Sequence, residues 1–419
     1  MKYLKEGIAI IGIAPDSGYT IPHYLIQTRD GKFIQLTELL FQTVVALQKE
    51  KKLRAVAKEV SLQIGKIVDT KLIKYVIHTK LEPLDIIEDS HQISLPEKKS
   101  ADMLLDFTYH FTLISEPLTQ FLAKLFSPLF RPFIIGMVLA AFAEINIWLF
   151  MTQHLEKALQ QIIYQPSLFL VLLALILLGT LFHEIGHAAG CKYSGGKPRK
   201  IGAGLYLVWP AFFTDITDVY RLNRAARLRS DVGGIYFNAI FSVLVAVIYF
   251  FTHFTPLLLL IFFQNIEILQ QLLPFLRLDG YFIVSDLVGV PNLFARIKPI
   301  LLSLIPGQAQ SQIKDLKRWV RWVVTAWVLL TIPTLIYLFW ILFTDVPDLT
   351  TTTWTSALLQ MKAIEENLRN SNYVNALIRL LQLLLLVLPL MGIFAMSIRF
   401  GKKGLGMLSR LSGNLLARR

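Results

Sequence analysis

Residues 166–190 read PSLFLVLLALILLGTLFHEIGHAAG, an apolar run that ends in the side chains of His183, Glu184 and His187. A membrane span needs about 20 mostly apolar residues, and this segment supplies nearly that many before its first ionisable side chain. Ionisable residues within a span are costly unless they are paired, so this ending calls for a partner such as a cation. The segment therefore predicts a membrane helix with a metal site at one end.

The rest of the chain also has the composition of a membrane protein. Its 419 residues are 54% hydrophobic and 17% charged, and the mean hydropathy is +0.54. The formal net charge of +13 could indicate nucleic-acid binding, but Lys and Arg also accumulate in the cytoplasmic loops of membrane proteins. Cys191 is the single cysteine, which excludes an intrachain disulfide.

We predict four segments along the chain. Residues 1–90 contain no run long enough for a span, and HYLIQTRDGKFIQL (23–36) predicts a β-hairpin with a two-residue turn at Asp30-Gly31. Three helical patterns follow, so this part is expected to be a small α+β winged-helix-like soluble domain. Residues 91–127 are expected to form a linker and an amphipathic approach to the membrane, 128–318 a membrane core, and 319–419 a two-helix membrane region with a basic tail.

The predicted fold class is an α-helical polytopic membrane protein with about six transmembrane helices. The candidate spans are residues 132–152, 158–189, 232–252, 255–276, 322–344 and 376–398. If both termini are cytoplasmic, most loop Lys and Arg residues fall on the cytoplasmic side, as the positive-inside rule requires. We therefore expect a multi-pass protein of the cell membrane, and the basic charge needs no nucleic acid to explain it.

The HEIGH stretch suggests a catalytic zinc site. Residues four apart share one face of a helix, so His183 and His187 can each offer a ring nitrogen to one ion. Glu184 can reach a metal-bound water and act as a general base. The alternative is a chance match to a short pattern, which the position at the end of a span disfavours.

A catalytic zinc needs a third protein ligand, for which Asp279 in LRLDGYF is the first candidate. Asp279 could instead belong to a simple Asp-Gly turn or pair with Arg277. Asp215 and Asp218 in TDITD are further candidates, although carboxylates in a loop are usually solvated. Cys191 could close the site as a fourth ligand, but it is more typical of a small apolar filler.

HEIGH followed by LDG about ninety residues later resembles the site-2 protease family of intramembrane zinc metalloproteases, and especially its peptide zinc metalloprotease group. The resemblance implies that Zn²⁺ is held by His183, His187 and Asp279 and that Glu184 is the catalytic base. Gly234 and Asn238 in GGIYFN match a further family motif.

The resemblance also implies a substrate-binding role for Asn238 and for Gln271, which stands where the family usually has Asn before x-x-Pro. The N-terminal residues resemble the PqqD-like peptide-recognition domain. Together these likenesses imply an endopeptidase that cleaves a membrane-associated protein or peptide, including a ribosomally made peptide. The expected partners are this substrate, the lipid bilayer and proteins of peptide export or modification.

Two other functions are compatible with the sequence. A non-proteolytic peptide-binding or peptide-export component would keep a structural metal site closed by a fourth ligand such as Cys191. A DNA-binding role of the winged helix is disfavoured because QKEKKLRAVAKEV (48–60) is mixed in charge. For a protease, a helical substrate must be unwound and paired with a strand edge, and residues 200–209 are expected to offer that edge.

Overall fold

The computed structural model describes residues 3–29, 31, 33–50, 52–88, 107–151, 166–206, 209–273, 276–303, 313–388, 391 and 394. The described chain is mostly helical, with a small sheet region near the N-terminus. The predicted basic tail, residues 91–106 of the predicted linker and the end of the sixth predicted span lie outside these residues.

The described residues of the N-terminal region include five strands and three α-helices. The strands are β1 Tyr3–Leu4, β2 Ala9–Ile13, β3 His23–Gln27, β4 Phe33–Thr37 and β5 Ile87–Glu88, with β1 paired to β5 and β2-β3-β4 in one antiparallel sheet. The helices are α1 Glu38–Lys49, α2 Leu53–Ile64 and α3 Thr70–Val76. Their apolar side chains pack against Ile26 and Leu36 on one face of the sheet.

The predicted hairpin is confirmed, but the predicted two-residue turn is wrong. Gln27 is the last residue of β3 and pairs with Phe33, the first residue of β4, so the connection is longer than two residues. Gly31 within it has a φ of 87°, a conformation that glycine adopts without a steric penalty. The Asp-Gly signal therefore located the chain reversal but not its length.

Four described helices are long and apolar enough to cross a membrane. They are α5 Pro132–Met151, α6 Pro166–Tyr193, α8 Gly233–Thr252 and the first part of α12 Arg318–Arg369. The fourth predicted span corresponds to α9 Pro256–Gln271, and the sixth overlaps α13 Tyr373–Leu388; both helices are shorter. The count of six spans stays a prediction. α12 continues through residues 345–369, which lie between the fifth and sixth candidate spans and were therefore expected to connect them as a loop.

Three short helices complete the part of the chain around the predicted ligands. They are α7 Arg224–Asp231, α10 Asp279–Val288 and α11 Phe294–Ser303. Helices α6 and α8 approach each other so closely that a Cβ at Gly186 would collide with the carbonyl oxygen of Gly233. Small residues permit such backbone contact between apolar helices. This contact brings the HEIGH segment of α6 against the first turn of α8.

A second sheet lies beside the HEIGH helix. It contains β6 Phe107–Ile114, β7 Ile201–Tyr206 and β8 Trp209–Thr214, in the order β6-β7-β8, with antiparallel pairing throughout. β6 and the following helix α4 Glu116–Phe126 fall within the segment predicted to link the two regions. The prediction that residues 200–209 offer a free edge is wrong, because β7 is paired on both sides. β8 is an outer strand of the sheet.

The loop between β2 and β3 docks the N-terminal region onto the helices that follow the second sheet. The Gly18 amide donates to the Gly289 carbonyl at 3.1 Å, and the Lys317 amide donates to the Gly18 carbonyl at 2.9 Å. A Cβ at Gly18 would collide with the Val288 carbonyl, so a side chain here would force the backbones apart. The N-terminal region is thus held at the end of α10.

Candidate metal centre

The two histidines of HEIGH lie side by side on α6. His183 and His187 are only 2% and 8% exposed, and their Nε2 atoms are 3.1 Å apart. The helical spacing of four residues places both rings on one face of α6, as the sequence predicts. Two buried imidazoles therefore present one nitrogen each to the same point.

Asp279 completes the cluster from the first residue of α10. Its Oδ2 lies 3.3 Å from His183 Nε2 and 3.4 Å from His187 Nε2. The next residue must be small, because a Cβ at Gly280 would collide with the carbonyl oxygen of Leu272 in the preceding turn. The LDG segment therefore folds back tightly on the end of α9, and this bend delivers Asp279 to the histidines.

The spacing of these three atoms fits a zinc ion. Ligands at about 2.0–2.1 Å around a tetrahedral centre are separated by about 3.3–3.4 Å, close to the distances in this cluster. Within the described part of the chain, His183, His187 and Asp279 are the group of acidic, histidine and cysteine side chains that meets this requirement. Asp279 Oδ2 is buried and has no hydrogen-bond donor among the described residues. A cation would satisfy it.

Contacts with neighbouring groups set the orientation and charge of the candidate ligands. His187 Nδ1 lies 2.8 Å from the carbonyl oxygen of Ser230, so Nδ1 donates to this carbonyl and Nε2 is the nitrogen that faces the cluster and would bind a metal once it is deprotonated. Burial alone would raise the pKa of the Asp279 carboxyl, but the positive charge of the adjacent histidines, when they are protonated, holds this pKa well below its usual range. Asp279 is therefore ionised, the form that binds a metal.

Because Gly234 has no side chain, it leaves room for the histidine rings of the cluster. A Cβ on this residue of α8 would stand 2.5 Å from Nε2 of His183 and 2.5 Å from Nε2 of His187. The glycine thus lies directly against the Nε2 atoms of the two histidines. The Asp279 oxygen that lacks a donor, the two imidazole nitrogens and the space beside Gly234 all fit a zinc ion.

The cluster opens into a cavity of about 360 Å³, here called the metal cavity. Its wall includes the three ligand candidates and Glu184, together with residues 211–217 from β8 and the loop that follows it. Thr214 Oγ1 lies 2.6 Å from Glu184 Oε2 and 2.9 Å from the Glu184 carbonyl oxygen, so this hydroxyl fixes the carboxylate at the cavity wall. The cluster therefore faces space in which a water and a substrate could lie.

The residues predicted to bind substrate have different locations. Gln271, the last residue of α9, lines the metal cavity. Asn238 is fully buried one turn after Gly234, and neither atom of its amide has a hydrogen-bond partner among the described residues. It does not line the metal cavity. Substrate binding by these two residues stays a prediction.

The other candidate ligands lie outside the cluster. Asp215 lines the metal cavity, but its Oδ1 accepts the hydroxyl hydrogen of Thr217 at 2.8 Å. The Asp218 carboxylate accepts hydrogen bonds from Arg221 and from the Lys197 amide. Cys191 is fully buried, and a Cβ at Gly196 would stand 2.7 Å from its sulfur. Cys191 therefore fills space, and it does not close the cluster as a fourth ligand.

Two groups that support the site were not predicted from the sequence. Thr214 is the last residue of β8, and only its place after the apolar residues 209–213 could have marked it. Ser230 acts through its backbone carbonyl, for which no residue type is diagnostic. Both groups reach the ligands from elements that pack against α6 only in the folded chain.

Comparison with known proteins identifies a distant relative. A protein of Bacillus subtilis (strain 168) named "Putative peptide zinc metalloprotease protein YydH" is 26% identical over 146 residues. The match covers 34% of this chain and 58% of the relative, so the chain spans less than two thirds of that protein. No family profile and no solved structure matches the chain. The likeness supports a metalloprotease-like role, and with the His-His-Asp cluster it suggests zinc.

Proposed function

We propose that this protein is a zinc-dependent endopeptidase that cleaves a membrane-associated protein or peptide at the cytoplasmic edge of the bilayer. The observation that carries the proposal is the convergence of His183, His187 and Asp279 on one point beside Glu184, in a single cavity. Three protein ligands facing open space are typical of a catalytic zinc, whereas a structural zinc has four. We therefore favour hydrolysis over a purely structural metal.

Each residue of the site has a distinct task in this proposal. Zinc, when bound, supplies a Lewis acid that polarises the scissile carbonyl and makes a water acidic near neutral pH. Glu184 takes the proton of the attacking water at its carboxylate and can return it to the leaving amine. Thr214 holds that carboxylate against the cavity wall, and the Ser230 carbonyl keeps His187 in the metal-binding tautomer.

The substrate backbone is proposed to pair with β8. A peptide must leave its helical conformation before it can be cut, and its freed backbone groups then need new partners. β8 pairs with β7 along one edge and has no strand on its other edge among the described residues. Residues 211–214 of this strand line the metal cavity. An extended peptide added to this edge would pass the ligands and Glu184.

The proposed topology has six spans with both termini in the cytoplasm. α9 and the residues around α13 would supply the two spans beyond the four long helices, and the basic loops would stay inside. HEIGH then lies at the cytoplasmic end of its span. The N-terminal region is proposed to recognise a peptide in the manner of a PqqD-like domain, which would suit the processing of a ribosomally made peptide or a link to peptide export.

Glu184→Gln separates catalysis from metal binding. The amide has nearly the same size and can still accept the hydrogen bond from Thr214, but it cannot act as the base. We expect the purified variant to keep the wild-type zinc content and to leave a proteome-derived peptide library intact, while the wild type cuts it. Equal cleavage by wild type and Glu184→Gln would refute the base assignment. If neither cuts the library or a membrane-protein fraction, the peptidase proposal fails and a peptide-binding role replaces it.

A further inference from the structure

A second cavity lies where the N-terminal region meets the helices of the metal site. This junction cavity has a volume of about 210 Å³. Leu25, Phe33 and Gln35 line it from β3 and β4, and Tyr220 and Asp286 line it from the opposite side. The cavity is smaller than the pocket of a drug-sized ligand and suits a single side chain.

The strand alternation of β3 and β4 directs one face of the N-terminal sheet into this cavity. Ile26 pairs with Ile34, and both pack into the core beneath the sheet. Leu25 pairs with Gln35, and because successive side chains of a strand point to opposite faces, these two lie on the other face. The sheet thus covers its own helices with one face and the junction cavity with the other.

The junction cavity adjoins the metal cavity. Tyr220 and Asp286 belong to the walls of both. The Tyr220 ring also stands 6.4 Å from the ring of Phe33, centroid to centroid. A peptide that occupies the metal cavity therefore lies beside the junction cavity, with Tyr220 and Asp286 at the boundary between the two.

The charges at this junction are already paired. Arg227 Nε donates to Asp286 Oδ1 at 3.1 Å, and its Nη1 donates to the Pro15 carbonyl at 3.3 Å and to the Leu222 carbonyl at 3.0 Å. A buried charge with such partners does not require an ionic ligand. The remaining wall is largely apolar, so the cavity suits an uncharged, apolar group.

We propose that the junction cavity is a specificity subsite that receives an apolar side chain of the peptide substrate, in a segment continuous with the one at the metal site. This inference rests on the proposed peptidase function. It assigns the N-terminal sheet a direct part in choosing the cleavage site, because Leu25, Phe33 and Gln35 contact the substrate.

Gln35→Trp tests the subsite by filling it. The wild type and the variant digest the same proteome-derived peptide library, and the residues at each position around the new termini are counted. We expect the wild type to favour apolar residues at one fixed position, and Gln35→Trp to lose that preference by about tenfold or more. Phe33→Ala, which enlarges the cavity, should shift the preference toward bulkier residues.

Gln63→Trp is the matched control. Gln63 is exposed on α2, so the same substitution there should leave both the cleavage profile and the zinc content unchanged. Zinc content also reports whether Gln35→Trp is folded. An unchanged profile in Gln35→Trp and Phe33→Ala, with active wild type, would overturn the subsite and leave the peptidase standing. Loss of cleavage only in Glu184→Gln confirms the peptidase, whereas absence of cleavage in the wild type overturns both proposals.

Discussion

The metal cavity and the junction cavity share Tyr220 and Asp286, yet they satisfy their buried charges in different ways. At the metal cavity, Asp279 Oδ2 has no hydrogen-bond donor among the described residues and faces two imidazole nitrogens. At the junction cavity, Arg227 neutralises Asp286 directly. A buried oxygen without a donor is costly, whereas a paired one needs no ligand. The first cavity therefore suits a cation, and the second suits an apolar group.

The largest effect is expected when a candidate ligand of the metal cavity is replaced. His187→Ala and Asp279→Ala should each reduce the zinc content of the detergent-purified protein from about one per chain to nearly none, because two ligands hold the ion poorly. Atomic emission spectrometry of the purified variants measures this directly. Cys191→Ala is the control and should keep its zinc. Undiminished zinc in Asp279→Ala would show that the third ligand lies elsewhere.

The wall of the metal cavity gives the next effect. Gly234→Ala would place a methyl group 2.5 Å from the Nε2 atoms of both histidines, so a ring or α8 must shift. We expect about 10- to 100-fold weaker zinc binding in competition with a chelator, the range typical of changes to groups that contact metal ligands. Gly136→Ala on α5 is the matched control, because the described chain leaves open space around it. Equal zinc affinities of Gly234→Ala and Gly136→Ala would mean that the residues around Gly234 can move to accommodate the added methyl group.

A smaller effect is expected where β8 meets Glu184. Thr214→Val preserves the shape of the side chain but removes the hydroxyl that holds the Glu184 carboxylate. We expect kcat to fall about 10- to 100-fold while zinc content stays unchanged. Thr214→Ser, which keeps the hydroxyl, should restore most of the activity. Equal loss in Val and Ser variants would instead point to strand packing.

The same contrast explains how much of the site could be predicted from sequence. The HEIGH histidines could be predicted as metal ligands because one helix carries both at a diagnostic spacing. Asp279 could be predicted only as a candidate ligand, because the bend at Gly280 that places it beside the histidines depends on contact with the end of α9. Side chains that bind ions belong to few residue types, so the metal centre left a readable pattern.

The junction cavity left no such pattern. Leu25 and Gln35 are ordinary strand residues, and their face is fixed only by pairing with each other and by the docking of the β2–β3 loop. The wrong prediction for residues 200–209 has a similar cause, since the partner strand β6 lies about ninety residues earlier in the chain. The general helical class and the small N-terminal sheet region were predictable because they depend on local apolar periodicity.

The smallest effect concerns the contacts that hold the junction together. Asp16 Oδ2 accepts the Arg224 amide of α7 at 2.8 Å, and Asp69 Oδ1 accepts the Leu72 amide of α3 at 2.7 Å. Each carboxylate thus caps the first turn of a helix, one across the junction and one within the N-terminal region. Asp16 has a φ of 53°, so glycine replaces it without backbone strain.

Asp16→Gly should lose about 1 kcal/mol of local stability at the start of α7, and Asp69→Gly a few tenths of a kcal/mol at α3. Hydrogen–deuterium exchange should show faster exchange confined to the first turn of the affected helix. The Gly18 backbone bonds remain in Asp16→Gly, so the junction cavity should keep its shape and the cleavage profile should not change. If Asp16→Gly instead reproduced the profile of Gln35→Trp, undocking rather than filling would explain the loss of preference.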